Sequence, residues 1–367
     1  MPRFELLVGS GAFWERASRD MVSAKQRLLL QAMTFEGDAA GLGVAAAINA
    51  SQAQDRRVLV DDYSRHVLND TILKLSRDPA LMAEARITWA MFEGMIAGGA
   101  GLRVTNPIAG KLLGYPLRNH KKLIVADGIA WIGGINFSDH NFAWHDMMLR
   151  IEDAAVAQWL AGQFEADWQG QPVTASATFD GIDLLSLDGA NNRIAFLPLL
   201  DMFAEAQVSI EVISAYPTQP FVGALVKAAE RGVAVTIHTP QPNNKPVVRD
   251  FLVGVAQRTR LDVRLLPAMT HAKAALIDGH TLVLGSSNFD FVSFRTNNDY
   301  VATIRDAGLI ADFTARMLVP ARAVGVRVKP GDYPQWRCRA AGLGLDFADS
   351  VIARLRHKRR IAEWSRP

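Results

Sequence analysis

The chain has 367 residues, 49% of them apolar and 21% charged, which is ordinary for a soluble globular protein and long enough for two domains. Its single cysteine, Cys338, excludes an intramolecular disulfide and favours a reducing compartment. The first residues lack a signal-peptide pattern, and no apolar run reaches the roughly 18 residues of a membrane-spanning helix, so neither is expected.

The positive charge is concentrated near the C-terminus. The formal net charge is +3, yet residues 321–367 alone carry eleven Lys and Arg against four Asp and Glu. A basic surface confined to one end of the chain favours contact with an anionic surface there. It argues against a nucleic-acid channel along the whole protein.

The first half of the chain alternates helical and strand patterns, which is typical of βαβ units and a parallel sheet. In chain order we predict a helix at 13–26, a strand at 27–35, a helix at 41–54, a strand at 57–62, helices at 67–75 and 79–97, and a strand at 102–104. The segment 108–117 is predicted to be a loop bordering the functional site.

The second half repeats this plan after a polar linker at 168–193, within which 182–187 has the pattern of an added strand. The predicted elements are a helix that includes 203–206, a strand at 208–213, a helix at 221–231, a strand at 233–238, a helix at 248–259 and a strand at 263–266. We therefore predict an N-terminal lobe at 1–170, a C-terminal lobe at 171–320 and a basic tail at 321–367.

One motif occurs twice, about 150 residues apart. His120-Lys121-Lys122 leads through an apolar run to Asp127, and His271-Ala272-Lys273 leads through a similar run to Asp278. A matching segment follows each copy, and these segments are Gly133-Gly134-Ile135-Asn136 and Gly285-Ser286-Ser287-Asn288. Two complete copies at nearly equal offsets are not explained by chance, so the repeat indicates where the chemistry lies.

The residue types in this motif suit a phosphodiester. Side chains two apart on a strand share a face, so each His is expected to point the same way as its Lys. Each strand ends in Asp-Gly, a hairpin signal, and the returning strand is expected to bring Gly133 or Gly285 and the following amide near the His. If the halves meet, two Lys and two Asn would neutralise phosphoryl oxygens, while one His attacks phosphorus and the other transfers protons.

These residues resemble the phospholipase D superfamily, and within it the bacterial cardiolipin synthases. Arg118-Asn119-His120, Trp144-His145-Asp146 and the segment Ser293-Phe294 to Asn297-Asn298-Asp299 carry the closer resemblance. The resemblance implies an α/β fold of two similar lobes, each a mixed sheet flanked by helices, related by a pseudo-twofold axis with the active site between them. It also implies phosphatidyl transfer through a phosphohistidine.

The resemblance further implies the roles of individual residues. His120 is the expected nucleophile, and Asp146 and Asp299 are expected to orient His120 and His271. Asp127 and Asp278 complete the motifs, although their positions suit hairpin anchors better. The expected catalytic set is His120, Lys122, Asp127, Asp146, His271, Lys273, Asp278 and Asp299, and the expected substrate-binding set is Gly133, Gly134, Asn136, Gly285, Ser286 and Asn288.

No metal site or cofactor is expected, because the sequence has neither a zinc-ligand spacing nor a nucleotide phosphate loop. A phosphodiesterase or nuclease with the same His and Lys set remains an alternative, as does a membrane-associated scaffold with an inactive site. Val292 and Asn243-Asn244-Lys245 depart from the usual cardiolipin synthase pattern. The acceptor, whether water, an alcohol or a second phospholipid, is therefore left open.

The tail has two interpretations. Apolar residues recur at helical spacing over 345–364, among five basic residues at 354–360. The pattern predicts an amphipathic helix that either lies on anionic lipid or packs on its own protein. The expected setting is the inner face of the cell membrane, with a phospholipid such as phosphatidylglycerol as substrate and peripheral contact with the anionic bilayer.

Overall fold

The computed structural model describes residues 2–108, 115–329, 331–355 and 361–366. The chain divides into two compact units, the first comprising Met1–Val173 with Lys358–Pro367 and the second Thr174–His357. Among the described residues, no helix combines the length and the apolar character needed to span a bilayer.

The first unit alternates strands and helices along most of its length. Its strands are β1 (Arg3–Val8), β2 (Arg27–Ala32), β3 (Asp55–Asp61), β4 (Val67–Leu68), β5 (Thr71–Ile72), β6 (Gly101–Thr105), β7 (Leu123–Ala126), β8 (Ile129–Gly133) and β9 (Met147–Glu152). Its helices are α1 (Ser10–Ser23), α2 (Ala39–Ala50), α3 (Tyr63–His66), α4 (Pro79–Ala97), α5 (Asp139–Phe142) and α6 (Ala154–Trp168), with a 3₁₀ turn at Leu73–Leu75.

The second unit follows the same plan. Its strands are β10 (Ala175–Phe179), β11 (Ile182–Ser186), β12 (Ser209–Ser214), β13 (Ala234–Pro240), β14 (Asp262–Leu266), β15 (Lys273–Ile277), β16 (Thr281–Gly285), β17 (Tyr300–Ile304) and β18 (Val326–Arg327). Its helices are α7 (Asn192–Ala195), α8 (Leu197–Glu205), α9 (Phe221–Glu230), α10 (Pro246–Ala256), α11 (Phe291–Arg295), α12 (Ala307–Phe313), α13 (Val319–Val324) and α14 (Gln335–Ile352), with a π-helical turn at Thr314–Leu318.

Each unit is built on one large mixed sheet. The first has the order β1-β9-β8-β7-β2-β3-β6-β19, where β19 is Ile361–Glu363, and the second has the order β10-β11-β17-β16-β15-β12-β13-β14-β18. In both sheets three parallel strands are followed by an antiparallel meander that carries the motif, namely β7-β8-β9 or β15-β16-β17. The internal repeat is therefore a repeat of topology, and the predicted α/β class with two similar lobes is confirmed.

Apolar helix faces cover these sheets and form a main core in each unit. In the first core Phe13 packs edge-on against Trp131, with ring centroids 5.6 Å apart. In the second core Phe221 packs in the same way against Phe196, with centroids 5.3 Å apart. Strands buried on both faces explain the nearly continuous apolar runs before each motif Asp.

The prediction of a helix at 67–75 is wrong. It forms the short hairpin β4–β5 and then the 3₁₀ turn. Asn69 and Asp70 both have positive φ values, 48° and 57°, which suit the tight turn of a two-residue hairpin. Turn chemistry at two polar residues thus overrides the helical spacing of the apolar residues around them.

The C-terminal region also differs from its prediction as a separate tail. The helix α14 begins at Gln335 and ends at Ile352, and β19 pairs antiparallel with β6 in the first unit. Trp364 packs on the core of that unit, with its ring 4.5 Å from that of Phe92. A single helix over 345–364 is therefore wrong, and four of the five basic residues of 354–360 fall outside the described residues.

Candidate active site

The first half-site lies at one edge of the first sheet. His120 and Lys122 immediately precede β7, Gly133 ends β8, and Asp146 immediately precedes β9. Leu123 pairs with Ile132, and Gly133 with Met148, so these strand ends are adjacent in the sheet. Register alone therefore brings the first His, its Lys, the glycines and the downstream Asp to the same edge.

The second half-site repeats this placement in the second sheet. His271 precedes Lys273, the first residue of β15, while Gly285 ends β16 and Asp299 precedes β17. Gly285 pairs with Val301, which aligns the end of β16 with the start of β17. In both units the His lies before the strand and not on it, because the strand begins at or after the Lys.

Each motif Lys is bonded to the backbone of its own His. Lys122 Nζ donates to the carbonyl oxygen of His120 at 2.8 Å, and Lys273 Nζ donates to the carbonyl oxygen of His271. All four residues are buried. A positive charge is thus held at the backbone of each motif His.

The downstream acids Asp146 and Asp299 are buried and held by local contacts. Asp146 accepts from its neighbouring N–H of Met147 at 2.8 Å, and a Cβ on Gly134 would lie 2.5 Å from both carboxylate oxygens. The Ser286 hydroxyl donates to Asp299 at 2.7 Å. Gly134 and Ser286, predicted to bind substrate, therefore lie against the acids of their half-sites.

The motif acids Asp127 and Asp278 lie at the other end of the strand, in the hairpin turns. Asp127 accepts the N–H groups of Lys25, Gln26 and Arg27 at 2.8–2.9 Å, and Asp278 accepts three N–H groups from Gln207, Val208 and Ser209 at 2.8–2.9 Å. Partial burial opposes ionisation, but these donors hold the pKa of both carboxylates below its usual range. Both acids anchor the hairpin to the strand beside it.

The neighbouring strand leaves no room for a side chain at Gly133 or Gly285. A Cβ on Gly133 would lie 2.5 Å from the carbonyl oxygen of Met147, and one on Gly285 would collide with that of Tyr300. These glycines were expected from the sequence to belong to the substrate-binding set. The close approach that the structure shows is by backbone, at the start of the adjacent strand.

The predicted amides have different surroundings in the two units. The Asn136 side chain accepts from Thr34 N–H and donates to Asn141, both at 3.3 Å. Within the described residues, the buried side-chain oxygen of Asn288 has no hydrogen-bond partner, and those of Asn297 and Asn298 share this property. An unsatisfied buried amide is costly, so this group of amides is a candidate for contact with substrate.

A buried network behind the first His was missed by the sequence analysis. Arg118 donates to Asp61 at 2.6 Å, and the N–H of Asn119 donates to the same carboxylate at 2.7 Å. Burial raises the pKa of Asp61, and the Arg118 guanidinium opposes this change. The available signal was the Asp61-Asp62 pair at the carboxyl end of a parallel strand, where polar functional residues collect.

The second His has an aromatic neighbour. The Tyr216 ring lies edge-on to His271, with centroids 5.9 Å apart. Lys245 Nζ lies 4.5 Å from the centre of the Tyr216 ring, and the Tyr216 hydroxyl donates to Asn244 at 2.6 Å. The departure noted at 243–245 therefore supplies two residues that contact Tyr216 beside the second His.

The described residues contain one group of carboxylates close enough to hold a cation. Ligand atoms of Glu36, Asp38 and Glu84 lie within 4.8 Å of one another. The backbone N–H of Asn69 donates to both oxygens of Glu36 at 3.3 Å, and its side chain donates to Glu84 at 2.9 Å. These hydrogen bonds supply partners for two of the three carboxylates without an ion.

Comparison with known proteins shows the family. A family model described as the PLD-like domain of cardiolipin synthase matches residues 18–168 and 199–318. Cardiolipin synthase 1 of Staphylococcus epidermidis is 24% identical over 336 residues, covering 83% of this chain and 64% of the relative. Cardiolipin synthase A of Pseudomonas aeruginosa is 25% identical over 377 residues, covering 95% of this chain and 72% of the relative.

A solved structure shows the same fold at lower identity. The crystal structure of phosphatidylserine synthase from Haemophilus influenzae Rd KW20 matches with a TM-score of 0.71 at 15% identity, covering 95% of this chain and 94% of that one. The chain spans just under two thirds of the length of the Staphylococcus relative. Because the family model covers most of the chain, this protein belongs to the phospholipase D superfamily, in the family of the cardiolipin synthase PLD-like domain.

Proposed function

We propose that this protein is a phosphatidyltransferase of the cardiolipin synthase type, which acts on the phosphodiester of a phospholipid such as phosphatidylglycerol. The observation that carries the proposal is the repeated Lys-to-His contact, in which Lys122 and Lys273 each bind the carbonyl oxygen of the motif His. Two histidines, each with a lysine ammonium bonded to its backbone carbonyl, match the needs of a two-step transfer at phosphorus.

In the first step an imidazole nitrogen of His120 attacks phosphorus and forms a phosphorus–nitrogen bond. The bond from phosphorus to the leaving oxygen breaks, and His271 donates a proton to that oxygen, so an alcohol departs. In the second step His271 takes a proton from the acceptor hydroxyl, whose oxygen attacks phosphorus and displaces His120. Lys122 and Lys273 stabilise the charge on the phosphoryl oxygens.

Asp146 and Asp299 are proposed to orient His120 and His271. Both are buried at the sheet edge that carries the motif in their own unit. A carboxylate that fixes the orientation of an imidazole also stabilises its protonated form, which both transfer steps require. In contrast, we propose that Asp127 and Asp278 contribute only by anchoring the hairpins.

The test uses the purified full chain and vesicles containing labelled phosphatidylglycerol, with and without added glycerol, and with and without EDTA. We expect a labelled product with two phosphatidyl groups and free glycerol. We also expect added glycerol to reverse the transfer and EDTA to leave the rate unchanged, because the lysines supply the positive charge. Loss of activity in EDTA that a divalent ion restores would contradict this chemistry.

A parallel reaction with single-stranded DNA distinguishes the proposed lipid transferase from the nuclease alternative. Turnover of DNA without turnover of lipid would replace the proposed function with a phosphodiesterase. No turnover of lipid, DNA or a soluble diester would favour the inactive scaffold.

A further inference from the structure

The helix α14 carries a row of large apolar side chains on its outward face. Trp336, Leu343 and Phe347 are 73%, 71% and 73% exposed. At about 100° per residue, these three positions fall within roughly 40° of one another around the helix axis. We call these three residues the outer face of α14.

The opposite face of α14 is already committed to the second unit. Cys338 is buried against Val253 and Leu265, while Ala341 belongs to the main core and Leu345 packs against it. The contact is fixed at both ends of the helix by ion pairs. Arg337 binds Asp250 at 2.6 Å, and Arg295 binds Asp349 at 2.8 Å. The helix cannot rotate to bury its outer face without losing these contacts, so they keep the row exposed.

The charges around the outer face indicate which partner fits. Arg339 on the helix and Arg354, two residues beyond its end, are exposed, and Asp346 is an exposed acid on the helix. The sequence beyond the helix continues as Arg354-Leu355-Arg356-His357-Lys358-Arg359-Arg360. An apolar row with Trp and Phe, accompanied by exposed Arg339 and Arg354 against one exposed acid on the helix, complements the acyl region and the anionic headgroups of a bilayer.

We propose that the outer face of α14 docks on an anionic lipid bilayer, with Trp336, Leu343 and Phe347 inserted among the acyl chains. The inference goes beyond the proposed function and rests on it only in taking a lipid surface as the partner. The helix predicted over 345–364 was expected either to lie on anionic lipid or to pack on its own protein. In the structure Ile352 is buried, and Leu345 and Trp364 pack on the cores of the two units.

The outer face of α14 belongs to a helix that is bonded through one ion pair to a helix next to the second half-site. The Arg295–Asp349 pair ties α14 to α11, which directly precedes the segment Asn297–Asp299. The docking surface is therefore connected to the helix that leads toward the acid of that half-site.

The experiment is co-sedimentation of the full chain with vesicles of phosphatidylcholine, with or without phosphatidylglycerol. The variant combines Trp336→Ser, Leu343→Ser and Phe347→Ser. A matched control combines Leu75→Ser, Ile194→Ser and Val208→Ser, which remove apolar residues of 74%, 72% and 67% exposure elsewhere. We expect the α14 variant to lose at least about tenfold in affinity for the anionic vesicles, and the control to bind as the wild type does.

Hydrolysis of a small soluble phosphodiester shows whether each variant keeps its fold and its active site. Equal binding by the α14 variant and the wild type, or an equal loss in the control, would overturn the inference. If vesicle binding depends on α14 while lipid turnover is absent, the docking surface stands and only the proposed function fails.

Quenching of tryptophan fluorescence by brominated acyl chains gives a second measurement, which needs no triple variant. We expect quenching of wild-type fluorescence, and loss of most of it in Trp336→Phe. Undiminished quenching in that variant would contradict insertion of Trp336. Sedimentation velocity without vesicles tests whether a second copy of the chain covers this face instead. The proposal is overturned if the wild type is a dimer, the triple variant is a monomer, and both bind vesicles equally.

Discussion

The ammonium group of Lys122 donates to the backbone carbonyl oxygen of His120 at 2.8 Å, and Lys273 makes the same contact with His271. The bond forms within the motif and requires no substrate. The spacing of one residue between His and Lys is therefore explained by local geometry, since the lysine side chain reaches back to the carbonyl group two residues before it. The charge of the lysine is positioned before the substrate arrives, which is the condition for effective electrostatic stabilisation of a transition state.

We expect substitutions of the two adjacent lysines in the first motif to affect different properties, stability for Lys121 and activity for Lys122. Lys121 is fully buried and binds Asp167 at 2.9 Å, and Asp167 also accepts from Gln31 at 2.7 Å. Lys121→Met leaves a buried carboxylate without its cation, so we expect a loss of about 3–5 kcal/mol in the free energy of unfolding. Lys122→Met should instead lower kcat/KM by about 10²–10³-fold.

Urea unfolding and kinetics with a soluble diester check this pair. The double variant Lys121→Met with Asp167→Leu should recover much of the lost stability, because it removes both charges. If Lys121→Met keeps the wild-type stability and loses activity, Lys121 and not Lys122 is the charge that serves the reaction.

The two histidines should both be essential and yet differ in role. His120→Ala and His271→Ala should each lower turnover by several orders of magnitude, since residues that act as a unit are not additive. With a substrate that has a good leaving group, His271→Ala should still accumulate phosphohistidine, whereas His120→Ala should not. Mass spectrometry of acid-sensitive adducts, quenched at high pH, checks the assignment. An adduct on His271 in the wild type would reverse it.

The motif acids should behave as structural residues and the downstream acids as functional ones. Asp127→Ala leaves three backbone N–H groups without their acceptor, so we expect a loss of about 1–3 kcal/mol in stability with kcat largely retained. Asp146→Asn should lower kcat by about 10²–10⁴-fold, since the proposed orientation of His120 is lost. A loss of kcat in Asp127→Ala at unchanged stability would place Asp127 in the catalytic set.

Stability should depend on pH through Glu36. Its side chain is 1% exposed, and burial raises its pKa to about 8, reinforced by the carboxylates of Asp38, Glu84 and Asp70. The folded state therefore holds a proton that the unfolded state releases above the ordinary glutamate pKa of 4.5. Stability is lost as the pH rises from that value to about 8, by an amount on the order of 3–5 kcal/mol.

Glu36→Gln tests this pH dependence, because the amide keeps the shape and cannot ionise. We expect the variant to be more stable than the wild type at pH 8 and similar to it at pH 4.5. His140, whose ring lies 3.6 Å from Glu36, is charged only when protonated, so His140→Gln serves as a control for its contribution. Parallel pH profiles of wild type and Glu36→Gln would show that Glu36 is ionised in the folded state.

The repeated motif made the fold class and most of the half-site residues predictable from the sequence. His120, Lys122 and Asp127 recur as His271, Lys273 and Asp278 at fixed spacing, and local physics explains each part. The Asp-Gly pair sets a hairpin, whose register brings Gly133 and Gly285 level with the motif. Strand and helix patterns were sufficient elsewhere too, as in α4, because buried strands and amphipathic helices leave a period in the sequence.

Contacts between distant segments were decided only by the tertiary structure. Asp61 meets Arg118 from a strand end that lies 57 residues away, and Tyr216 approaches His271 across a similar gap, so neither pairing leaves a local pattern. The tail shows the same limit. The spacing of Leu345 and Ile352 marks an apolar face, but only the position of α10 decides that this face turns inward and leaves Trp336, Leu343 and Phe347 exposed. Periodicity records which residues share a face, whereas burial depends on which face another part of the chain comes to cover.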